Sequence, residues 1–344
     1  MQVKKEYPFQ SVWIVLKEGY IGDYNACRGV AERLAEHPRT IYVSDIERAG
    51  SVSAYIEEYN KRSGAEVFPQ VVISSYKVST HIPFIIQLKR LSGNRTHLLQ
   101  LRDPGEAYDM FDLIANPSHV IPITGPNVIK TVGVAHPLSP KTLAEGRALW
   151  QNELSAFDGY KKMAVMIGGD VPFFTEETGG GAFKAEDART LGAELNAIAH
   201  RRNAALIVTN SKRTPEDAWD ALCKEIADVP VYMHHYKLDA AKGNPYFGLL
   251  SIADELFPTA DSMSMCSEAC YTGKPVYIVG MECSNVRSDH RRLAEQLIHL
   301  EYAQPLVRVD KPWQGNSQPL DTAGFIADEF VRRIQKKNVC RSKA

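Results

Sequence analysis

Short β-branched runs alternate with amphipathic stretches along this chain, the pattern of an α/β architecture built on parallel sheets. Ser11-Val12-Trp13-Ile14-Val15-Leu16 reads as a buried strand, after which Cys27, Val30, Ala31 and Leu34 recur at helical spacing. Val71-Val72-Ile73 is a second strand, followed by a helix through Ile82, Ile85, Ile86 and Lys89, then strands at His97–Leu101 and Asp112–Ala115. A second series opens at Met163–Ile167 and ends on Gly168-Gly169-Asp170. It continues with a helix at Leu191, Leu195, Ile198 and Ala199, a strand at Ala205–Thr209 and a helix at Trp219, Leu222 and Ile226. Val229–Met233, Glu255–Thr259 and Pro275–Val279 are the remaining strand candidates. An amphipathic helix around Leu143–Leu149 and the polar stretch Trp150–Lys162 separate the two series, and the boundary is placed there. The expected division is 1–155, 156–320 and a C-terminal helix with basic tail at 321–344. Two doubly wound units would face each other across a cleft, with a ligand near the carboxyl ends of their strands.

A length of 344 residues agrees with two domains and is ample for large cores without disulfides or a structural metal. Forty basic and forty-one acidic side chains argue against a nucleic-acid coat, so no nucleic-acid partner is expected. No apolar run reaches the roughly 18 residues of a membrane span, and the polar start Met1-Gln2-Val3-Lys4-Lys5-Glu6 does not read as a signal peptide. A cytoplasmic protein is expected. The six cysteines include no C-x-x-C pair, and the ten histidines show no metal-ligand spacing. Neither metal nor cofactor is expected, and Cys266 and Cys270 read as buried small hydrophobes.

Three segments carry chemistry. In the first, a strand ends near Thr259 and a helix opens around Ser262 to Ser264, after Asp261 and before Met265 and Glu268. Free N–H groups, the positive end of the helix dipole and two hydroxyls suit an anion there. Glu268, one turn in, could hold the paired hydroxyls of a ribose; an ordinary Ser-capped helix with a surface Glu is equally open. The second is Thr209-Asn210-Ser211-Lys212-Arg213-Thr214-Pro215-Glu216-Asp217, with Thr214 expected as N-cap and Pro215 as first helical residue. Lys212 and Arg213, just past a strand, suit a diphosphate or else remain exposed loop cations.

The third segment follows the first strand: Lys17-Glu18-Gly19-Tyr20-Ile21-Gly22-Asp23-Tyr24-Asn25. Gly19 and Gly22 allow a tight turn, and Glu18 and Asp23 are the carboxylates placed to serve as general base, or are solvated loop acids. Gly179-Gly180-Gly181 reads as a mobile surface turn. The chain lacks D-x-D, Y-x-x-x-K, G-x-G-x-x-G and G-x-S-x-G, which disfavours diphosphate chelation through Mg²⁺ or Mn²⁺, nicotinamide-dependent epimerisation and acyl transfer.

The run Thr209–Pro215, then Asn244-Pro245-Tyr246, Ala253-Asp254, Asp261-Ser262-Met263-Ser264-Met265, Glu268-Ala269 and Gly273-Lys274-Pro275-Val276, resembles the mitochondrial-fission (elongated-mitochondria) family. The resemblance runs from Gly19 to about Pro319 and is more specific in the second half. In the first half, Gly19, Gly22 and Asn25 match the family's G-x-x-G-x-x-N-Q loop. Ala26 replaces its Gln, Asp23 stands where His is common, and Tyr76-Lys77 replaces a basic pair. The family's bacterial members are described as glycosyltransferases of the GT-B type, with two Rossmann-like domains. The plant relatives are regarded as adaptors that recruit a dynamin-like protein.

The resemblance implies an acceptor-side domain at 1–155 and a donor-side domain at 156–320. The expected activity is a metal-independent glycosyltransferase taking a nucleotide-sugar donor. Lys212, Arg213, Ser262 and Ser264 would hold the diphosphate, Glu268 the ribose, and Asp23 or Glu18 would act as base. Gly168, Gly169, Ser211, Thr214, Asn244, Asp261 and Met265 are further cleft candidates, with Gly19, Gly22 and Asn25 on the acceptor side. Arg332, Arg333, Lys336, Lys337, Arg341 and Lys343, with no acid among them, could bring the protein to an anionic membrane and a lipid-linked acceptor. The rival expectation is a non-catalytic adaptor that keeps the fold and recruits a protein partner.

Overall fold

The computed structural model describes residues 6–63, 68–75, 81–175 and 179–341. The chain forms two compact units, Met1–Pro137 with Asp321–Ala344, and Leu138–Leu320. Unit 1 begins with β1 (Val12–Leu16), α1 (Ile21–Leu34), β2 (Arg39–Tyr42), α2 (Val43–Arg48), α3 (Val52–Ser63) and β3 (Val71–Ser75). It continues with α4 (His81–Leu91), β4 (His97–Leu101), β5 (Leu113–Pro117) and β6 (Val128–Thr131). All six strands are parallel, in the order β2-β1-β3-β4-β5-β6. Strands covered by helices on both faces must be apolar throughout, and every residue of β1 and β3 is buried. Trp13, Val15, Ile41, Ile56, Val72, Ile82, Ile85 and Leu98 form the core of one face. Each such side chain contributes roughly 1.5–3 kcal/mol by leaving water.

Unit 2 comprises α5 (Pro140–Leu154), β7 (Lys161–Met166), β8 (Val171–Thr175), β9 (Gly179–Gly181), α6 (Ala185–Arg202), β10 (Ala204–Thr209), α7 (Glu216–Glu225) and β11 (Val231–His234). It then adds α8 (Tyr246–Ile252), β12 (Glu255–Pro258), α9 (Met263–Tyr271), β13 (Tyr277–Ile278), α10 (Ser288–His299) and β14 (Gln304–Pro305). The parallel ladder β11-β10-β7-β12 extends to β13 through bridges Leu256 to Val276 and Thr259 to Val279, and β13 pairs with β14. That order is the doubly wound pattern, which reverses beside β7. Both units are therefore Rossmann-like parallel sheets.

The boundary differs from the expected 155/156. Helix α5 packs on α8 through facing glycines: a Cβ on Gly146 would lie 2.7 Å from the Phe247 carbonyl carbon, and one on Gly248 2.7 Å from Trp150. Unit 2 therefore starts at Leu138. The C-terminal helix α11 (Thr322–Arg341) returns to unit 1, because its stripe Ile326, Phe330 and Ile334 is buried there, with Phe330 6.0 Å from the Phe9 ring. Lys337 Nζ on α11 donates to the buried Asp112 carboxylate at 2.7 Å. Asp112 also takes Lys89 Nζ at 3.1 Å and the Leu98 N–H at 2.9 Å. Burial works to raise its pKa, but hydrogen bonds from His97 and Lys337, with the Lys89 charge, hold it far below the carboxylate range.

Gly179–Gly181 is not the free turn expected of it: β9 pairs antiparallel with β8, Val171 opposite Gly181. Cys266 and Cys270 are buried on α9, where burial pushes both thiols up. Among the described residues no helix is long and apolar enough to cross a membrane. Of the basic tail, Arg332 and Arg333 pair with Glu329, and Lys337 with Asp112. Lys343, like Tyr76-Lys77, lies outside the described residues.

Candidate functional site

Open α/β sheets bind ligands beyond the carboxyl ends of their strands where the strand order reverses. In unit 2 that point lies between β7 and its neighbours. The Gly168 N–H donates to Thr259 Oγ1 at 2.8 Å and the Gly169 N–H to Asp261 Oδ2 at 2.8 Å. Ser211 Oγ donates to the Gly168 carbonyl at 2.8 Å, and Thr214 Oγ1 donates to the same oxygen. Asn285 Nδ2 donates to the Gly169 carbonyl at 2.7 Å. A Cβ on Gly168 would sit 2.0 Å from Asp261 Oδ2, and one on Gly169 2.1 Å from the Arg213 carbonyl oxygen. The space at these two glycines is filled by protein.

Arg213 departs from the expectation of two cations free for a diphosphate. Its Nη1 donates to the Asp170 carbonyl at 2.7 Å, and its Nη2 to Asp261 Oδ2 at 2.9 Å. The guanidinium closes the loop onto β7 and neutralises Asp261, which is 3% exposed. Lys212 is exposed and has no partner among the described residues. Thr214 does not cap α7: Pro215 occupies the N-cap, and the Thr214 hydroxyl is drawn instead to the end of β7. Gly168, Gly169, Ser211, Thr214, Arg213 and Asp261 thus form a stitched frame around the switch point.

Helix α9 opens from that frame. Ser262 is its N-cap and accepts the Met265 N–H at 3.4 Å, and the first turn holds no acid. Among the described residues the N–H groups of Met263 and Ser264 have no acceptor, so the positive helix end is open to an anion. Glu268, far from being a surface residue, is buried and accepts a hydrogen bond from Tyr246 Oη at 2.5 Å. Burial raises its pKa to about 7 against that opposing bond. Asn244 is exposed and accepts the Tyr246 N–H at 3.0 Å, steadying the start of α8. Lys274 closes the other end of α8 on the carbonyls of Leu250, Ser251 and Ala253, a structural use of a family-motif residue.

The Glu268 environment predicts a pH effect. A carboxyl whose pKa is raised on folding stabilises the fold below its unfolded value near 4.5 and loses that contribution as pH rises through 7. The stability of Glu268→Gln relative to the natural chain is therefore expected to rise by about 2 kcal/mol from pH 5 to pH 8 in urea unfolding. A difference independent of pH contradicts the buried carboxyl.

In unit 1 the order reverses between β1 and β3, and Asp23 lies there, in the first turn of α1. Its Oδ1 accepts the Ser75 hydroxyl at 2.7 Å from the end of β3. Glu18 instead accepts the Ser44 hydroxyl. Gly19 supplies the turn, at φ 88°, whereas Gly22 is helical and a Cβ there would meet open space. Asn25 is half-buried on the same helix. Two residues escaped the sequence reading. Ser75 ends an apolar strand, a visible signal. His81 is 1% exposed, with no hydrogen-bond partner for either ring nitrogen among the described residues. Burial lowers its pKa to about 4, the Asp23 carboxylate opposing. No group of three His, Cys, Asp or Glu side chains among the described residues could hold a metal ion.

Comparison with known proteins adds a family. The profile of the mitochondrial fission ELM1 family matches residues 21–334. Mitochondrial fission protein ELM1 of Arabidopsis thaliana is 28% identical over 218 residues, 57% of this chain and 48% of that protein. Uncharacterized protein RP120 of Rickettsia prowazekii is 30% identical over 176 residues, 50% of this chain and 47% of that protein. The chain thus spans about half the length of the curated relatives it matches. Among solved structures, Acinetobacter baumannii MurG aligns with a TM-score of 0.48 at 12% identity, covering 95% of this chain and 99% of that one.

Proposed function

The chain belongs to the mitochondrial fission ELM1 family, and from that membership and the switch point of unit 2 we propose that it is a metal-independent glycosyltransferase using a nucleotide-sugar donor. The observation that carries the reading is the acid-free, open N-terminus of α9, set in the same frame as Lys212, unpartnered among the described residues, and followed by the buried Glu268. The diphosphate takes the Met263 and Ser264 N–H groups and the Lys212 ammonium; Glu268 takes the ribose hydroxyls, displacing Tyr246. In transfer, the acceptor oxygen bonds to the anomeric carbon while the bond from that carbon to the diphosphate oxygen breaks. The electron pair leaves with the diphosphate, where fixed positive groups stabilise it. The acceptor proton passes to Asp23, assigned as the base in unit 1. The acceptor is proposed to lie at an anionic membrane surface, toward which the exposed Lys336 would contribute.

Calorimetric titration with UDP, GDP, CDP, ADP and CMP separates the two cations. Lys212→Ala is expected to weaken the bound nucleotide about tenfold at unchanged melting temperature, the loss of one charge-assisted contact. Arg213→Ala is expected to lower the melting temperature, since it leaves Asp261 buried without its partner. Equal affinities in Lys212→Ala and the natural chain contradict the diphosphate assignment. The adaptor reading draws on the Arabidopsis relative, named as a mitochondrial fission protein; failure of every nucleotide to bind favours it.

A further inference from the structure

Beyond the frame lies a cavity of about 560 Å³ that the reading above leaves unused. Its walls are Asp170, Val171 and Pro172, the backbone of Gly180 and Gly181, and Lys212 with Arg213. We propose that this cavity holds the sugar of the donor, with Asp170 accepting hydrogen bonds from its hydroxyls. The inference rests on the donor reading of unit 2 and goes beyond it by placing the transferred group.

The wall chemistry selects that occupant. The Lys212 ammonium, without a partner among the described residues, and the Asp170 carboxylate both line the cavity. Asp170 Oδ1 accepts the Phe183 N–H at 2.8 Å, which orients the carboxylate and leaves Oδ2 without a partner among the described residues. The backbone beneath is tied down: the Asp170 N–H donates to the Arg213 carbonyl at 2.8 Å, and Arg213 Nη1 returns to the Asp170 carbonyl at 2.7 Å. A bare phosphate filling the cavity would meet a carboxylate. A ring of hydroxyls attached to a phosphate suits both groups, because hydroxyls donate to the carboxylate while the phosphate pairs with the Lys212 ammonium.

The glycine hairpin is the third wall. Glycines at 180 and 181 present peptide edges with no side chains to occupy the cavity, and Gly181 is fixed from behind, where a Cβ would lie 2.7 Å from the Ser284 carbonyl oxygen. This gives Gly179-Gly180-Gly181 a function that its sequence, which lacks any phosphate-loop lysine, does not announce.

The test titrates the full chain with four diphosphates, UDP, GDP, CDP and ADP, and with their conjugates UDP-glucose, GDP-mannose, CDP-glucose and ADP-glucose. For the base that binds, Asp170→Ala is expected to weaken the conjugate about tenfold and the plain diphosphate less than twofold. Asp170→Asn keeps an acceptor for the Phe183 N–H and so controls for the hairpin; it is expected to fold as the natural chain does and to lose selectivity for the conjugate. Conjugate and diphosphate weakened equally, or neither weakened, in both variants overturns the sugar pocket while leaving the donor site standing. Absence of binding by every diphosphate in the natural chain overturns the donor reading and the pocket with it.

Discussion

Gly169→Ala is expected to destabilise unit 2 by about 3–5 kcal/mol, lowering its melting temperature by roughly 6–15 °C, and to remove nucleotide binding. Gly169 has φ 153°, which an L side chain rarely adopts, and its Cβ would stand 2.1 Å from the Arg213 carbonyl oxygen. The obstruction is backbone, so no rotamer relieves it. Either the loop after β7 withdraws, breaking the Gly169 N–H bond to Asp261 and the Asn285 bond to Gly169, or the 211–214 loop lifts away with Lys212. Both routes dismantle the frame beside α9. A loss below about 1 kcal/mol in urea unfolding would show that the frame is loose.

Asp112→Ala is expected to cost unit 1 about 3–5 kcal/mol, because removing one member of a buried charge cluster leaves its partners uncompensated. The Lys89 side chain is 13% exposed and cannot reach water freely, while Lys337, at 55%, can turn outward. The damage therefore falls on Lys89 and on the Leu98 N–H, and the tie between α11 and the sheet is lost. Asp112→Asn keeps an acceptor for that N–H and should lose less. Since the folded pKa of Asp112 lies below its unfolded value, its contribution is present at neutral pH and disappears as pH falls through the acid range. Urea unfolding at pH 7 and in acid reads this directly: equal stability of the two chains at pH 7 contradicts the buried cluster.

What could be read from the sequence follows burial. Strands β1, β3, β4, β7 and β10 are covered on both faces and appear as apolar runs, so the α/β class and two sheets were legible. Edge strands such as Arg39–Tyr42 and Val128–Thr131 are short and half exposed, and neither carries a clear period. The return of α11 to unit 1 was hidden for another reason. Ile326, Phe330 and Ile334 declare a buried stripe, but periodicity does not say which sheet receives it.

The candidate site divides in the same way. The Ser262 cap and the exposed Lys212 were legible because capping and charge are local properties, whereas the burial of Glu268 against Tyr246 was not. The commitment of Arg213 was not legible either, because the neutralising Asp261 lies 48 residues along the chain. Thr214 and Lys274 carry the right chemistry for a ligand, yet the fold uses both to satisfy its own backbone oxygens. The family motif is thus partly a scaffold, and the residues left facing outward are fewer than the motif suggests. Ser75 and His81 show the converse: polar groups brought beside Asp23 by the β1–β3 reversal, which spacing alone could not place together.

We propose that unit 2 holds a nucleoside diphosphate at the α9 N-terminus with Glu268 on its ribose. Calorimetric titration of the purified full chain with UDP, GDP, CDP, ADP and CMP in the presence of EDTA tests it most directly. Micromolar binding of one nucleotide, lost in Glu268→Ala, is the expected result. No binding by any of them, or binding of equal strength in Glu268→Ala, would contradict it.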